Sequence, residues 1–221
     1  MAGFIPLGDA TRQPRRSTII TVLIIAVNVF FFLLELDGGN GFVRHWSAIP
    51  VHIMHGHHII TLLTSMFMHG GWMHIIGNMI YLWAFGPGIE DAMGSMRFLL
   101  FYLVGGLIAM MAQVAADPFS AIPVLGASGA IAAVMGAFVV TYPRDRIRTV
   151  LFFFIFFRVT YVPAVLLIGF WFLIQVLDFG SVAQVRTGGV AYLAHIAGFL
   201  FGVVFSRLFE DRRRLAYRSG M

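Results

Sequence analysis

The fold class this sequence predicts is an all-α integral membrane protein: six transmembrane helices in a compact bundle, with both termini cytoplasmic. Three observations predict it. The first is composition, because 59% of the 221 residues are hydrophobic and only 11% are charged, where soluble domains carry roughly 25% charge. The second is a series of apolar runs close to the ~20 residues that a helix needs to cross a bilayer. The third is the distribution of the fifteen basic residues, all of them Arg. With six spans and cytoplasmic ends, thirteen Arg fall in cytoplasmic segments and only Arg44 and Arg186 in outer ones. That is the positive-inside pattern. It accounts for the net charge of +5 without nucleic acid as a partner. Cysteine is absent, which excludes disulfides, thiolate metal sites and a Cys nucleophile.

The first span is read at 17–36. It is longer than a signal-peptide core and lacks a small-residue cleavage site, so it is retained. A His- and Gly-rich stretch, 38–61, is too polar to cross. The second span, 70–85, is expected to stop at Gly86-Pro87-Gly88 by turn chemistry. The third, 98–116, closes at Asp117-Pro118, and the fourth, 121–142, at Pro143-Arg144. The apolar region 149–177 is too long for one span and is broken by Arg158 and Pro163. Its part 159–177 is read as the fifth span and 149–157 as interfacial, with Arg158 snorkelling. The sixth span is 189–209, followed by Arg212, Arg213 and Arg214. The expected organisation is a cytoplasmic tail (1–16), one six-span domain (17–209) and a basic cytoplasmic tail (210–221).

Polar side chains inside spans are costly and point to function. The second span carries His74 and Asn78, four apart and therefore on one helix face. The fourth opens with Gly126-Ala127-Ser128-Gly129, and the sixth holds Ala194-His195, Gly198 and Gly202. Counted from the outer boundaries at ~1.5 Å per residue, Ser128, His195, His74 and Asn78 all sit roughly 6–12 Å deep. A hydroxyl becomes a competent nucleophile when a neighbouring imidazole takes its proton. Ser128 and His195 are therefore the expected nucleophile and base. His74 and Asn78 are the expected oxyanion donors. Gly126 and Gly129 let backbone and substrate approach closely. Gly198 and Gly202 let the sixth span pack against the fourth. No Asp or Glu lies at this depth in the fourth or sixth span, so a dyad is expected rather than a triad.

On these motifs, and on the stretch 62–72 and Gly86–Gly94 with Glu90, the chain resembles the rhomboid intramembrane serine proteases over about 17–209. The resemblance implies a rhomboid-like bundle and hydrolysis of peptide bonds in or near transmembrane segments of membrane-protein substrates. It also implies that no cofactor is needed and that the chain sits in a lipid bilayer, expected to be a prokaryotic plasma membrane. Through it Trp171 becomes a candidate for the lateral entrance used by substrate; by its spacing alone Trp171, like Gln175 one turn on, reads as a packing residue. Two positions depart from the family pattern. Where many members have a Trp-Arg pair in the first outer loop this chain has His57-His58, and where many have a Tyr four residues after the Ser it has Ala132.

Other readings stand beside this one. A catalytically silent relative would bind transmembrane helices with the same scaffold. A transporter would line a path through both leaflets with polar groups, whereas here they share one depth. His52, His55, His57, His58 and His69 invite a metal reading, but an interfacial loop explains them, with His69 ordering that loop, and no metal is expected.

Overall fold

The computed structural model describes residues 2–12, 14, 18–182 and 191–211. The proposed tail positions 1, 13 and 15–16, the outer Arg186, the start of the sixth span at 189–190 and the basic residues from 212 onward lie outside the described residues.

Six long helices dominate: α1 (Ile19–Trp46), α2 (Trp72–Met93), α3 (Ser95–Ala116), α4 (Ser128–Thr141), α5 (Ala164–Val182) and α6 (Tyr192–Phe209). Three of them, α1, α3 and α6, are long and apolar enough to cross a membrane by length and composition. The chain is an integral membrane protein. Its centre is α4, buried at every position from Gly129 to Phe138. A helix apolar on all sides belongs inside a bundle, and α2, α3, α5 and α6 all pack on this one.

The α4–α6 contact is the closest because neither helix carries bulk there. A Cβ on Gly198 would lie 2.1 Å from the Gly129 carbonyl oxygen, and one on Gly202 would lie 2.0 Å from that of Ala133. Gly136, which the sequence reading passed over, meets the Phe199 carbonyl in the same way.

The molecule is not all-α. A three-stranded antiparallel sheet forms from β1 (Ala2–Asp9), β2 (Arg146–Phe153) and β3 (Phe156–Pro163), in the order β1-β2-β3. The segment read as interfacial, together with the first residues of the expected fifth span, is thus a hairpin, and α5 begins at Ala164. The physical reason is composition: Ile147, Thr149, Val150, Phe157, Val159, Thr160, Tyr161 and Val162 are β-branched or aromatic, residues that fit a pleated surface. The segment read as an N-terminal tail supplies the third strand. Its end is clamped to the hairpin base, where Arg12 pairs with Asp145 and lies 4.6 Å from the centre of the Tyr142 ring. The Thr11 hydroxyl accepts from the Arg146 N–H at 2.8 Å.

Three boundaries also differ. α1 does not end at 36 but runs on to Trp46 across a kink at Gly39, whose φ of 60° suits glycine, so the first part of the stretch 38–61 is helical. α2 runs straight through Gly86-Pro87-Gly88. Those glycines serve packing, against Thr21 and Phe138 respectively, and the stop comes at Gly94, whose φ is 84°. Residues 121–127, expected inside the fourth span, are not helical. Pro123 and Gly126, with φ at 125°, do not fit a helix, and the strand-like bridge between Ala48 and Val124 holds this stretch instead.

At the other end, Glu90 is 2% exposed. Its carboxylate accepts from the Ile20 and Thr21 N–H groups, the Thr21 hydroxyl and the Ser95 hydroxyl at 2.7–3.0 Å. It thereby caps the start of α1 and ties α1, α2 and α3 together.

Candidate active site

Ser128 is the first residue of α4, and the helix delivers it in a particular way. The first N–H groups of a helix have no partner within it, and the positive end of the helix dipole lies there. Gly126 makes the approach: its positive φ suits glycine, and a Cβ there would sit 2.9 Å from the His74 ring. The Gly126 N–H donates to the Ser65 carbonyl at 2.9 Å, which pins the loop before Ser128 to the segment before α2.

His195 lies one turn into α6 and is 8% exposed. Its Nε2 is 2.7 Å from the Ser128 Oγ. Its other nitrogen, Nδ1, is 2.7 Å from Oε1 of Gln175 on α5. The Trp171 ring lies 5.7 Å from the imidazole and 6.5 Å from the Tyr81 ring of α2, centre to centre. Trp171 therefore stands between α2 and the imidazole. Ala132, by contrast, is buried in the core and offers only a methyl group.

His74 is oriented by the backbone. Its Nδ1 accepts from the Gly70 N–H at 3.2 Å, so in the neutral ring the proton sits on Nε2. That nitrogen is the one facing Gly126, beside Ser128. Asn78 is buried at 7% exposure, and its Nδ2 donates to the His74 carbonyl at 3.0 Å. One of its two amide protons is thereby used within α2. A cavity of about 10 Å³ adjoins Ser128, lined among others by Met66, Gly106, Ala109, Val124 and Ala194.

The loop before α2 is anchored by a residue that the sequence reading passed over. Glu35 of α1 is buried, and its two carboxylate oxygens accept from the His69 N–H at 2.9 and 3.1 Å. His69, expected to order this loop by hydrogen bonding, does so through its main-chain N–H. Among the described residues no three His, Asp or Glu side chains form a group able to hold a metal ion.

The structure thus brings Ser128, His195 and His74 to one place, beside Gly126 and Gly129. Asn78 lies a turn further along α2, and Gly198 and Gly202 lie along the α4–α6 contact. What the sequence reading does not give is the contact of Gln175, read there as a packing residue, with His195. The signal was present, a polar side chain in an apolar run, but the fifth span was taken to end at 177. The helix runs on to Val182, which puts Gln175 roughly 10 Å below its end at ~1.5 Å per residue, within the depth that the sequence predicts for the other four.

The family model described as the rhomboid domain matches residues 56–212. The chain is 37% identical over 122 residues to the rhomboid protease GluP of Bacillus subtilis, which covers 53% of this chain and 23% of that protein. It is 31% identical over 165 residues to the mitochondrial rhomboid protein 1 of Saccharomyces cerevisiae, covering 70% and 44%. With the rhomboid protease GlpG of Salmonella choleraesuis the identity is 28% over 127 residues, covering 58% and 45%. The matched stretches span less than half the length of these three relatives.

Proposed function

This chain belongs to the rhomboid family, and from that premise we propose that it is an intramembrane serine endopeptidase. On this reading it hydrolyses peptide bonds in or near transmembrane segments of membrane-protein substrates. The observation that carries the reading is the 2.7 Å separation of Ser128 Oγ and His195 Nε2 at a helix N-terminus.

The chemistry follows from that geometry. Oγ attacks the carbonyl carbon of the scissile bond while Nε2 takes the hydroxyl proton. The carbonyl oxygen becomes an oxyanion, held by the unpaired N–H groups at the start of α4 and by the Nε2–H of His74. The imidazolium returns its proton to the departing amine, leaving an acyl-enzyme. Water deprotonated by His195 then releases the acid and regenerates the hydroxyl. Ser128 is half-buried rather than sealed, which admits that water. No cofactor takes part. The cavity beside Ser128 has about the volume of one water-sized sphere, which fits a small side chain on the residue before the cut. Trp171, between α2 and the imidazole, lies where a substrate segment entering between α2 and α5 would pass.

Six crossings with cytoplasmic termini are part of this proposal, supported by the thirteen-to-two distribution of Arg. A prokaryotic plasma membrane is part of the same proposal; the relatives include both bacterial and mitochondrial proteins.

A fluorophosphonate probe tests the nucleophile directly, since it reacts only with an activated hydroxyl. The wild type is expected to be labelled, Ser128→Ala not at all, and His195→Ala nearly not. Equal labelling of the wild type and Ser128→Ala would remove Ser128 from the mechanism. An unlabelled wild type would favour a silent, helix-binding member of the family.

A further inference from the structure

We propose that Gln175 is a positioning residue for His195: its side-chain oxygen selects the imidazole tautomer that can take the Ser128 proton. The inference rests on the reading of Ser128 and His195 as nucleophile and base.

Gln175 is 8% exposed and its Oε1 lies 2.7 Å from His195 Nδ1. The orientation of the amide follows from its other end, where Nε2 donates to the Trp171 carbonyl at 3.4 Å. The oxygen therefore faces the ring. A carbonyl oxygen only accepts, so Nδ1 must carry the hydrogen. A neutral imidazole has one N–H, and the lone pair is then on Nε2, facing Ser128 Oγ. In the opposite tautomer Nε2–H would donate to the serine and have nothing to receive its proton with. The acceptor on Nδ1 thus decides whether the ring acts as a base.

Trp171 completes the arrangement. It sits one turn before Gln175 on α5, with its ring tilted 40° to the imidazole, so one helix fixes both the ring's place and its protonation pattern. This supplies what the chain lacks at Ala132, where the family pattern often has a Tyr. The neutral amide also suits its surroundings. A carboxylate at 175 would be a buried charge without a partner whenever the imidazole is neutral. The titratable neighbours of His195 are His74 from α2 and Tyr192 from its own helix. Facing it, α4 contributes Ser128 and α5 contributes Trp171 and Gln175, none of them charged; the carboxyl of Asp178, about one turn beyond Gln175 on α5, interacts with Tyr192.

The test compares Gln175→Met, which keeps bulk but removes the acceptor, with Gln175→Glu, which restores an acceptor and adds charge. In proteolysis assays across pH, with Ser128→Ala as the blank, Gln175→Met is expected to lower kcat by roughly 10–100-fold, the cost of an orphaned buried donor, with KM little changed. Gln175→Glu is expected to recover most of kcat and to move the acid limb of the profile up by about one to three pH units, because a nearby anion favours the imidazolium. Nitrogen NMR of histidine-labelled protein reads the tautomer without turnover: Nδ1–H at His195 in the wild type, lost in Gln175→Met. Wild-type kcat and an unchanged tautomer in Gln175→Met would overturn the proposal. So would equal losses in both variants with a lowered unfolding temperature and no change in the pH profile. If wild type and Ser128→Ala are equally inert toward substrate, the protease reading fails, and the tautomer measurement still decides the role of Gln175.

Discussion

Asn78 spends one amide proton on the His74 carbonyl, and its second makes no hydrogen bond among the described residues. If that proton reaches the oxyanion, Asn78→Ala removes a transition-state contact, which typically costs about 10²–10³-fold in kcat. We expect roughly 30-fold, since His74 and the backbone donors at the start of α4 remain. KM and unfolding temperature should hold. Were Asn78 only a strut within α2, kcat would stay near normal and the loss would appear as a lower unfolding temperature instead. Single residues also show where sequence reasoning ran out. His74 and Asn78 are four apart on one helix, so local periodicity alone places them together. Gln175 and His195 meet only through the packing of α5 on α6, and Glu35 finds the His69 N–H across thirty-four positions. No spacing rule encodes such contacts.

At the scale of elements, the helices were legible and the sheet was not. A run such as 149–162 satisfies two descriptions, an apolar stretch and a strand pair, and hydropathy alone does not separate them. The abundance of β-branched and aromatic residues was the usable signal. Pro87 misled in the opposite sense: α2 continues through it, and the flanking glycines pack against Thr21 and Phe138. The clamp that joins β1 to the hairpin carries a testable electrostatic signature. Burial pushes the Asp9 carboxyl up to about 6, against the Thr11 and Arg12 N–H groups that hold it down and with Asp145 adding to the rise. Ionising Asp9 therefore costs more in the folded chain than in the unfolded one. Its contribution to stability is full below its ordinary value of 3.8 and is lost as pH rises through about 6. Thermal unfolding in a neutral detergent should show the wild type losing stability against Asp9→Asn between these limits. The effect should be below about 1 kcal/mol because the group is half-exposed and solvent screens it. Parallel curves for the two proteins would contradict the clamp.

For the whole molecule, the sequence carried more than its local structure. The 2.7 Å approach of Ser128 to His195 joins residues sixty-seven positions apart, yet counting depth along apolar runs already put them at one level. The same count missed Gln175 because one boundary was set five residues short of Val182. Depth is thus a sharper guide than hydrophobicity, and it fails only as its boundaries fail. The account's central claim is that Ser128, assisted by His195, cuts a peptide bond near the outer end of a substrate's transmembrane segment. The direct measurement is to reconstitute the purified chain with a single-span substrate in liposomes and map any cut by mass spectrometry, beside Ser128→Ala. We predict a cut in the third of the substrate span remote from the Arg-rich side of this protein, absent in Ser128→Ala. Cleavage by Ser128→Ala at the wild-type rate, or a cut at the Arg-rich side, would contradict the account.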